Sequence, residues 1–228
     1  MFSREAKAFG AVTGVPGFLG PYTRGRGGVL GEVDADVVTA AFGFFPAETI
    51  RAAWESVDMP AEKAAAGYLA VCQDFGRRKL GEFAGAGRIA ELLAPVAAAA
   101  DSAGVPLFAG WRALPSATDD PARALQLIQV VRELRGGLHL LAARASGLTP
   151  RQTVLTGGSW RQEGAKQASE FGWPEPYEEI TPELRRRWEA AEALTDELIT
   201  PAFAVLDEQQ SRELTELLTA ADELVYAR

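Results

Sequence analysis

No run in this 228-residue chain alternates apolar and polar side chains for more than a few positions, so the period-two pattern that a half-buried sheet requires is missing. From Asp34 onward the pattern is helical instead. The segments "ADVVTAAFGF", "PAETIRAAWESV", "PAEKAAAGYLAVCQDFGRRKLG" and "RIAELLAPVAAAADSAG" have helical length, are rich in strong helix formers and are punctuated by Pro or Gly. After "VPLFAGWRALPSATDD", which reads as a looser connection, Asp120 and Pro121 make a cap and first turn. The helix they open runs to about Ser146, and Gly147 ends it. Thr149-Pro150 and Thr181-Pro182 repeat that start signal. Asp207, three residues before Gln210, resembles a capping box, and Leu214, Leu217, Leu218, Ala221, Leu224 and Val225 then form an apolar stripe. The expected fold is mainly α. A helical N-terminal layer (1–118) packs on a degenerate winged-helix C-terminal portion with dimerisation helices (119–228), and "WPEPYEEI" is the one place for a short hairpin.

The first thirty residues stand apart. Glycines at 10, 14, 17, 20, 25, 27, 28 and 31 predict irregular structure with at most one short helix. No stretch approaches the roughly 18 apolar residues of a membrane span, and the start lacks the apolar core of a secretory signal; a cytoplasmic location is expected. Cys72 is alone, which excludes an internal disulfide and a structural zinc site and leaves it as a buried spectator thiol. A formal charge of -8 weighs against nucleic acid unless basic residues cluster.

Candidate chemistry centres on "RELRGGLHLL", which holds the single histidine. Leu127, Val131, Leu134, Leu138 and Leu141 predict the buried face of this helix. At about 100° per residue, Arg132, Arg135 and His139 fall within roughly 60° of one another on a neighbouring face, with Gly136 among them. Glycine there costs about 1 kcal/mol relative to alanine, which implies that the missing side chain makes room for a helix or a ligand. Two interpretations stay open. One is a cationic recess for a carboxylate or phosphate, with His139 as proton carrier or as an axial ligand for haem iron. The other is a set of paired arginines beside a hydrogen-bonded histidine. The glycine-rich region adds Tyr22, Arg24 and Arg26, but it lacks the Lys-Ser/Thr of a nucleotide loop. Phe42, Phe44, Phe45, Trp54, Tyr68, Phe75 and Phe83 crowd the first half as core or as pocket lining. There is no nucleophile-elbow pattern and no metal-ligand cluster.

Residues 149–180 have the rhythm of helix, turn, helix and hairpin. The second helix would be the reader of a DNA groove, yet Arg151, Arg161 and Lys166 are outnumbered by Glu163, Glu170, Glu175, Glu178 and Glu179. Phosphate would repel such a surface.

Three stretches, "PYTRGRGGVLGEVDADVVTAAFGFFP", "DPARALQLIQVVRELRGGLHLLAARASGL" and "ITPELRRRWEAAEALTDELITPAFAVL", resemble an actinobacterial helix-turn-helix family of no agreed function. The last also resembles the dimerising end of MarR-type winged-helix regulators. Tyr22, Gly25, Arg26, Arg132, Glu133, Arg135, Gly136, His139, Thr195 and Asp196 match positions of the family pattern. The resemblance implies a homodimer that holds a small anionic, partly apolar molecule between its layers. Tyr22, Arg26, Arg132 and Arg135 would bind the anion, and His139 would be donor or acceptor. A DNA-binding regulator and an enzyme of specialised metabolism using His139 as acid-base group stand as alternatives. Family members carry a further helix ahead of the region matching "SREAKAF", which implies that a pocket wall is absent here.

Overall fold

The structure is a computed structural model that describes residues 3–159 and 162–226. In chain order its helices are α1 (Arg4–Thr13), α2 (Leu19–Gly27), α3 (Ala35–Phe42), α4 (Ala47–Glu55), α5 (Ala61–Leu80), α6 (Ala86–Ala99), α7 (Pro106–Arg112), α8 (Asp120–Ala145), α9 (Pro150–Gly157), α10 (Gly164–Phe171), α11 (Pro182–Phe203) and α12 (Glu208–Tyr226). A 3₁₀ turn, Gly28–Leu30, continues α2. Among the described residues there is no strand, only a bridge between Ser159 and Gln162. The fold is mainly α, as the periodicity predicts.

Local chemistry sets many of the boundaries. Thr149 and Gln152 form a reciprocal capping box at the start of α9, and the Thr181 hydroxyl accepts from the Leu184 amide at the start of α11. Asp207 and Gln210 bond each other's backbone N–H through their side chains at the start of α12. At α8 the cap is Asp119 rather than Asp120, its carboxylate accepting from the Ala122 amide.

Three expectations are overturned. The glycine-rich start is helical: α1 and α2 occupy it, and α2 is buried along its length. Glycine is used there for approach. A Cβ on Gly25 would lie 2.7 Å from the Tyr68 side chain on α5, and one on Gly28 would strike the Ala61 backbone. The connection "VPLFAGWR" is α7, opened by Pro106, with Leu107, Phe108 and Trp111 buried. The hairpin at "WPEPYEEI" does not form. Pro174 and Pro176 offer no N–H to a ladder, and the segment is fixed by Trp173, whose Nε1 donates to Phe44 O.

The middle of the molecule is α8, packed against α5, α6 and α7 on one side and α9 and α11 on the other. A helix with neighbours around it needs no single apolar stripe. Its most buried positions include Gln126, Val130, Glu133 and Leu134, while Leu141, placed by the periodicity on the buried face, is 44% exposed. A carboxylate at the centre of a helical protein must therefore be accounted for.

Candidate functional site

Glu133 is 2% exposed, and a buried carboxylate is costly unless paired and hydrogen-bonded. α2 meets it. Arg26, 9% exposed, donates Nε to Glu133 Oε1 at 2.8 Å and Nη2 to Oε2 at 2.7 Å, a bidentate pair. Gln129, one turn earlier on α8, donates to Oε1 at 2.6 Å, and Arg132 reaches the same oxygen at 3.4 Å. Burial alone would lower the Arg26 pKa, but the Glu133 carboxylate overcomes it and holds the guanidinium charged. Likewise burial would raise Glu133, and Arg26 keeps it below the ordinary carboxylate value. The guanidinium also donates to the Tyr22 hydroxyl at 3.1 Å and lies 4.4 Å from the centre of the Phe42 ring. Trp111 Nε1 donates to the Arg26 carbonyl. Arg26, expected to hold an anion, has its charge met inside the protein.

This polar cluster separates two cavities. The larger, about 770 Å³, is a groove lined by residues of α1, α2, α5, α8, α10 and α12. Tyr22, Tyr68, Cys72, Gln129 and Arg132 line it, together with Gln162, Gln167 and Phe171 from the α10 region. Phe75, Leu125, Ile128, Leu218 and Val225 make the rest of it largely apolar, and two carboxylates, Glu170 and Asp222, also line it. Tyr68 is raised by burial and keeps its proton, with Arg132 opposing the shift. Cys72 is pushed up to about 12 by burial, so its sulfur stays a thiol and donates weakly to Leu125 O. Gln162 Nε2 and Gln167 Oε1 are buried without a hydrogen-bond partner among the described residues. The smaller cavity, about 320 Å³, lies on the far side of the pair. Arg26 and Glu133 line it together with Phe42, Phe44, Leu107, Gly136 and Leu140.

Arg132, Arg135 and His139 share a side of α8 but meet different neighbours. Arg132, with a side chain 55% exposed, faces the groove and makes one long contact, to Glu133. Arg135 donates to Glu192 of α11 at 2.7 Å. His139 lies 2.9 Å from the Thr195 hydroxyl through Nδ1 and 3.5 Å from Glu192 Oε1 through Nε2, with Phe44 against its ring. Thr195 donates its own proton to Ala191 O, so Nδ1 is the donor to Thr195. Burial, the largest influence, pushes the imidazole pKa down, Glu192 opposing and Arg135 adding to it. With its proton on Nδ1, the neutral imidazole presents an unprotonated Nε2 toward the Glu192 carboxylate. Of the five predicted residues, Tyr22 and Arg132 line the groove and Arg26 lines the small cavity, whereas Arg135 and His139 line neither. The sequence reading missed Glu133 as the organising acid. Its signals were its match to the family pattern and the i, i+4 spacing of Gln129 and Glu133.

Among the described residues no three His, Cys, Asp or Glu side chains are placed to hold a metal, and no helix is long and apolar enough to cross a membrane. The model of a helix-turn-helix family matches residues 1–228. The chain belongs to that helix-turn-helix family. No curated protein and no solved structure matches it.

The short helices α9 and α10, where the sequence places the helix, turn and helix, pack on each other. The turn needs Gly158, whose φ is +58°, and a Cβ on Gly164 would strike the α9 backbone. One side of α10 is turned inward: Phe171 stacks on Phe45 with centroids 4.1 Å apart, and Gln167 lines the groove. Ala165, Lys166 and Ser169 face out, whereas Glu170, though exposed, lines the rim of the groove. Arg161, counted above among the basic residues, lies outside the described residues. Of the acids expected on a wing, Glu178 accepts from Gln152 at 2.9 Å.

Proposed function

We propose that this chain is a small-molecule-binding protein derived from an actinobacterial winged-helix regulator of MarR-like type, and that its ligand, anionic and partly apolar, lies in the 770 Å³ groove. The observation that carries this is the inward face of α10. Gln162, just ahead of α10, and Gln167 and Phe171 on it line the same groove as Arg132, whose one ion contact is the 3.4 Å approach to Glu133. The volume is within the range of ligand sites, and a mostly apolar lining with a few convergent polar groups is their usual composition. Arg132 would hold the anion, the Tyr22 and Tyr68 hydroxyls and the glutamine amides would orient it, and Phe75, Ile128 and Leu218 would cover its apolar part. Arg26 would act through Tyr22 and Glu133 as a positioning residue.

Titration with 1-anilinonaphthalene-8-sulfonate, an anionic aromatic fluorophore, tests this. Arg132→Gln should weaken binding at least about 10-fold, since a charge-assisted hydrogen bond contributes roughly 1.5–3 kcal/mol. Its urea midpoint should stay close to that of the parent protein. Equal affinity in the two proteins would refute the groove assignment. Native mass spectrometry of the protein as purified would identify a ligand that co-purifies.

Membership of a helix-turn-helix family favours a second reading, a DNA-binding regulator. It would have to use Lys166 on the outer face of α10 against a net negative protein, so its gel shift should fade steeply with salt. Acid-base catalysis by His139 finds less support, because the imidazole is bonded to Thr195 and is not among the residues lining either cavity. A homodimer joined through α11 and α12 would cover Leu198, Val205 and Leu224, which are 41–46% exposed. Sedimentation equilibrium distinguishes it from a monomer.

A further inference from the structure

Below the Arg26–Glu133 pair, away from the groove, α8 carries two adjacent glycines that do opposite things. A Cβ on Gly137 would lie 2.5 Å from Val105 Cγ1, so that glycine permits a contact with the start of α7. A Cβ on Gly136 would meet nothing within 4 Å. Gly136 opens into the 320 Å³ cavity, where any other residue would project a side chain. Two apolar residues at the mouth of that cavity, Val37 and Leu141, are 49% and 44% exposed. An apolar, aromatic-walled hollow thus runs from an exposed lip down to a buried ion pair.

The hydrogen-bonding state of that pair fixes what could lie against it. Glu133 Oε1 is saturated, accepting from Arg26, Gln129 and Arg132, while Oε2 accepts from Arg26 alone. Arg26 is not saturated. A guanidinium has five N–H groups, and three are used, one at Nε, one at Nη2 and one from Nη1 to Tyr22. The cavity floor therefore offers two unspent Arg26 N–H donors beside one open position on Glu133 Oε2. Its charge is closed, because Glu133 neutralises Arg26 and the extra cation, Arg132, lines the groove on the other side. An anion here would approach the Glu133 carboxylate with no cation left to meet it.

We infer that the small cavity is a second ligand site, distinct from the groove, for a neutral apolar molecule that carries an acceptor oxygen such as a ketone, ester or amide carbonyl. The carbonyl takes an unspent Arg26 N–H, and the apolar body lies between Phe42, Phe44, Leu107 and Leu140. The cavity is at the lower end of the volumes that ligand pockets occupy, which suits a molecule of one ring or a short chain.

Three aromatic probes of similar size discriminate, measured by calorimetry on the full chain: acetophenone, ethylbenzene and benzoate. Acetophenone should bind at least about 10-fold more tightly than ethylbenzene, and benzoate should bind no more tightly than acetophenone. Gly136→Leu, which fills the cavity and removes a helix-interior glycine, should fold with an equal or higher Tm and lose acetophenone binding. The same variant should bind 1-anilinonaphthalene-8-sulfonate as the parent does, whereas Arg132→Gln should show the converse pattern, so the two sites stand or fall separately. Absence of acetophenone binding to the parent protein, ethylbenzene binding as tightly as the ketone, benzoate binding most tightly, or unchanged acetophenone affinity in Gly136→Leu would each overturn the inference.

Discussion

Two guanidinium–carboxylate pairs hang on α8, Arg26–Glu133 and Arg135–Glu192, and their closest contacts are both 2.7 Å. Surroundings separate them. The first pair has side chains 11% and 1% exposed, and the second 47% and 29%. In the first, each ion has lost its water and depends on the other. In the second, solvent replaces whatever the pair loses. Distance alone would rank them equal, and burial makes one a structural requirement and the other an ornament of the surface.

Removing one acid from each pair gives the largest expected contrast. Glu133→Ala leaves a buried, uncompensated guanidinium and should cost about 3–5 kcal/mol in urea unfolding, while Glu192→Ala should cost less than about 1 kcal/mol. Equal losses would break the comparison. The adjacent glycines sharpen it at the next level. Gly137→Ala overpacks against Val105 and should destabilise by about 1–3 kcal/mol. Gly136→Ala, which meets open space, should stabilise by up to about 1 kcal/mol through helix propensity. The smallest effect belongs to His139. Its pKa is lowered in the folded protein by burial, so the unfolded chain takes up the proton first as pH falls. Its contribution is whole above about pH 6.5 and is lost progressively below it. Tm followed between pH 8 and pH 5 should decline in that window, and the decline should be shallower in His139→Gln.

What the sequence discloses and what it hides divide along the reach of the interactions. Thr149, Thr181 and the Asp207–Gln210 box were legible because a cap is satisfied within one turn of chain. The glycine-rich start was misjudged because glycine's low helix propensity is overridden by packing against α5, which no local window contains. On α8 the angular spacing correctly grouped Arg132, Arg135 and His139 on one side. Which of them meets solvent, acid or cavity depends on α10 and α11, far along the chain. The same is true of Arg26, whose partner is 107 residues away. Leu141 fits the apolar stripe by period and yet is a cavity lip, because α8 is surrounded and its buried arc is not set by hydrophobicity alone.

The central proposal is that α10 faces a ligand groove rather than a nucleic acid. Amide resonances of α10, followed by heteronuclear NMR, test it most directly. Titration with 1-anilinonaphthalene-8-sulfonate should shift Gln162, Gln167 and Phe171 together with Arg132, and short duplex DNA at physiological salt should leave them in place. Shifts at Lys166 and Ser169 on adding the duplex, with none in the groove on adding the fluorophore, would contradict the account.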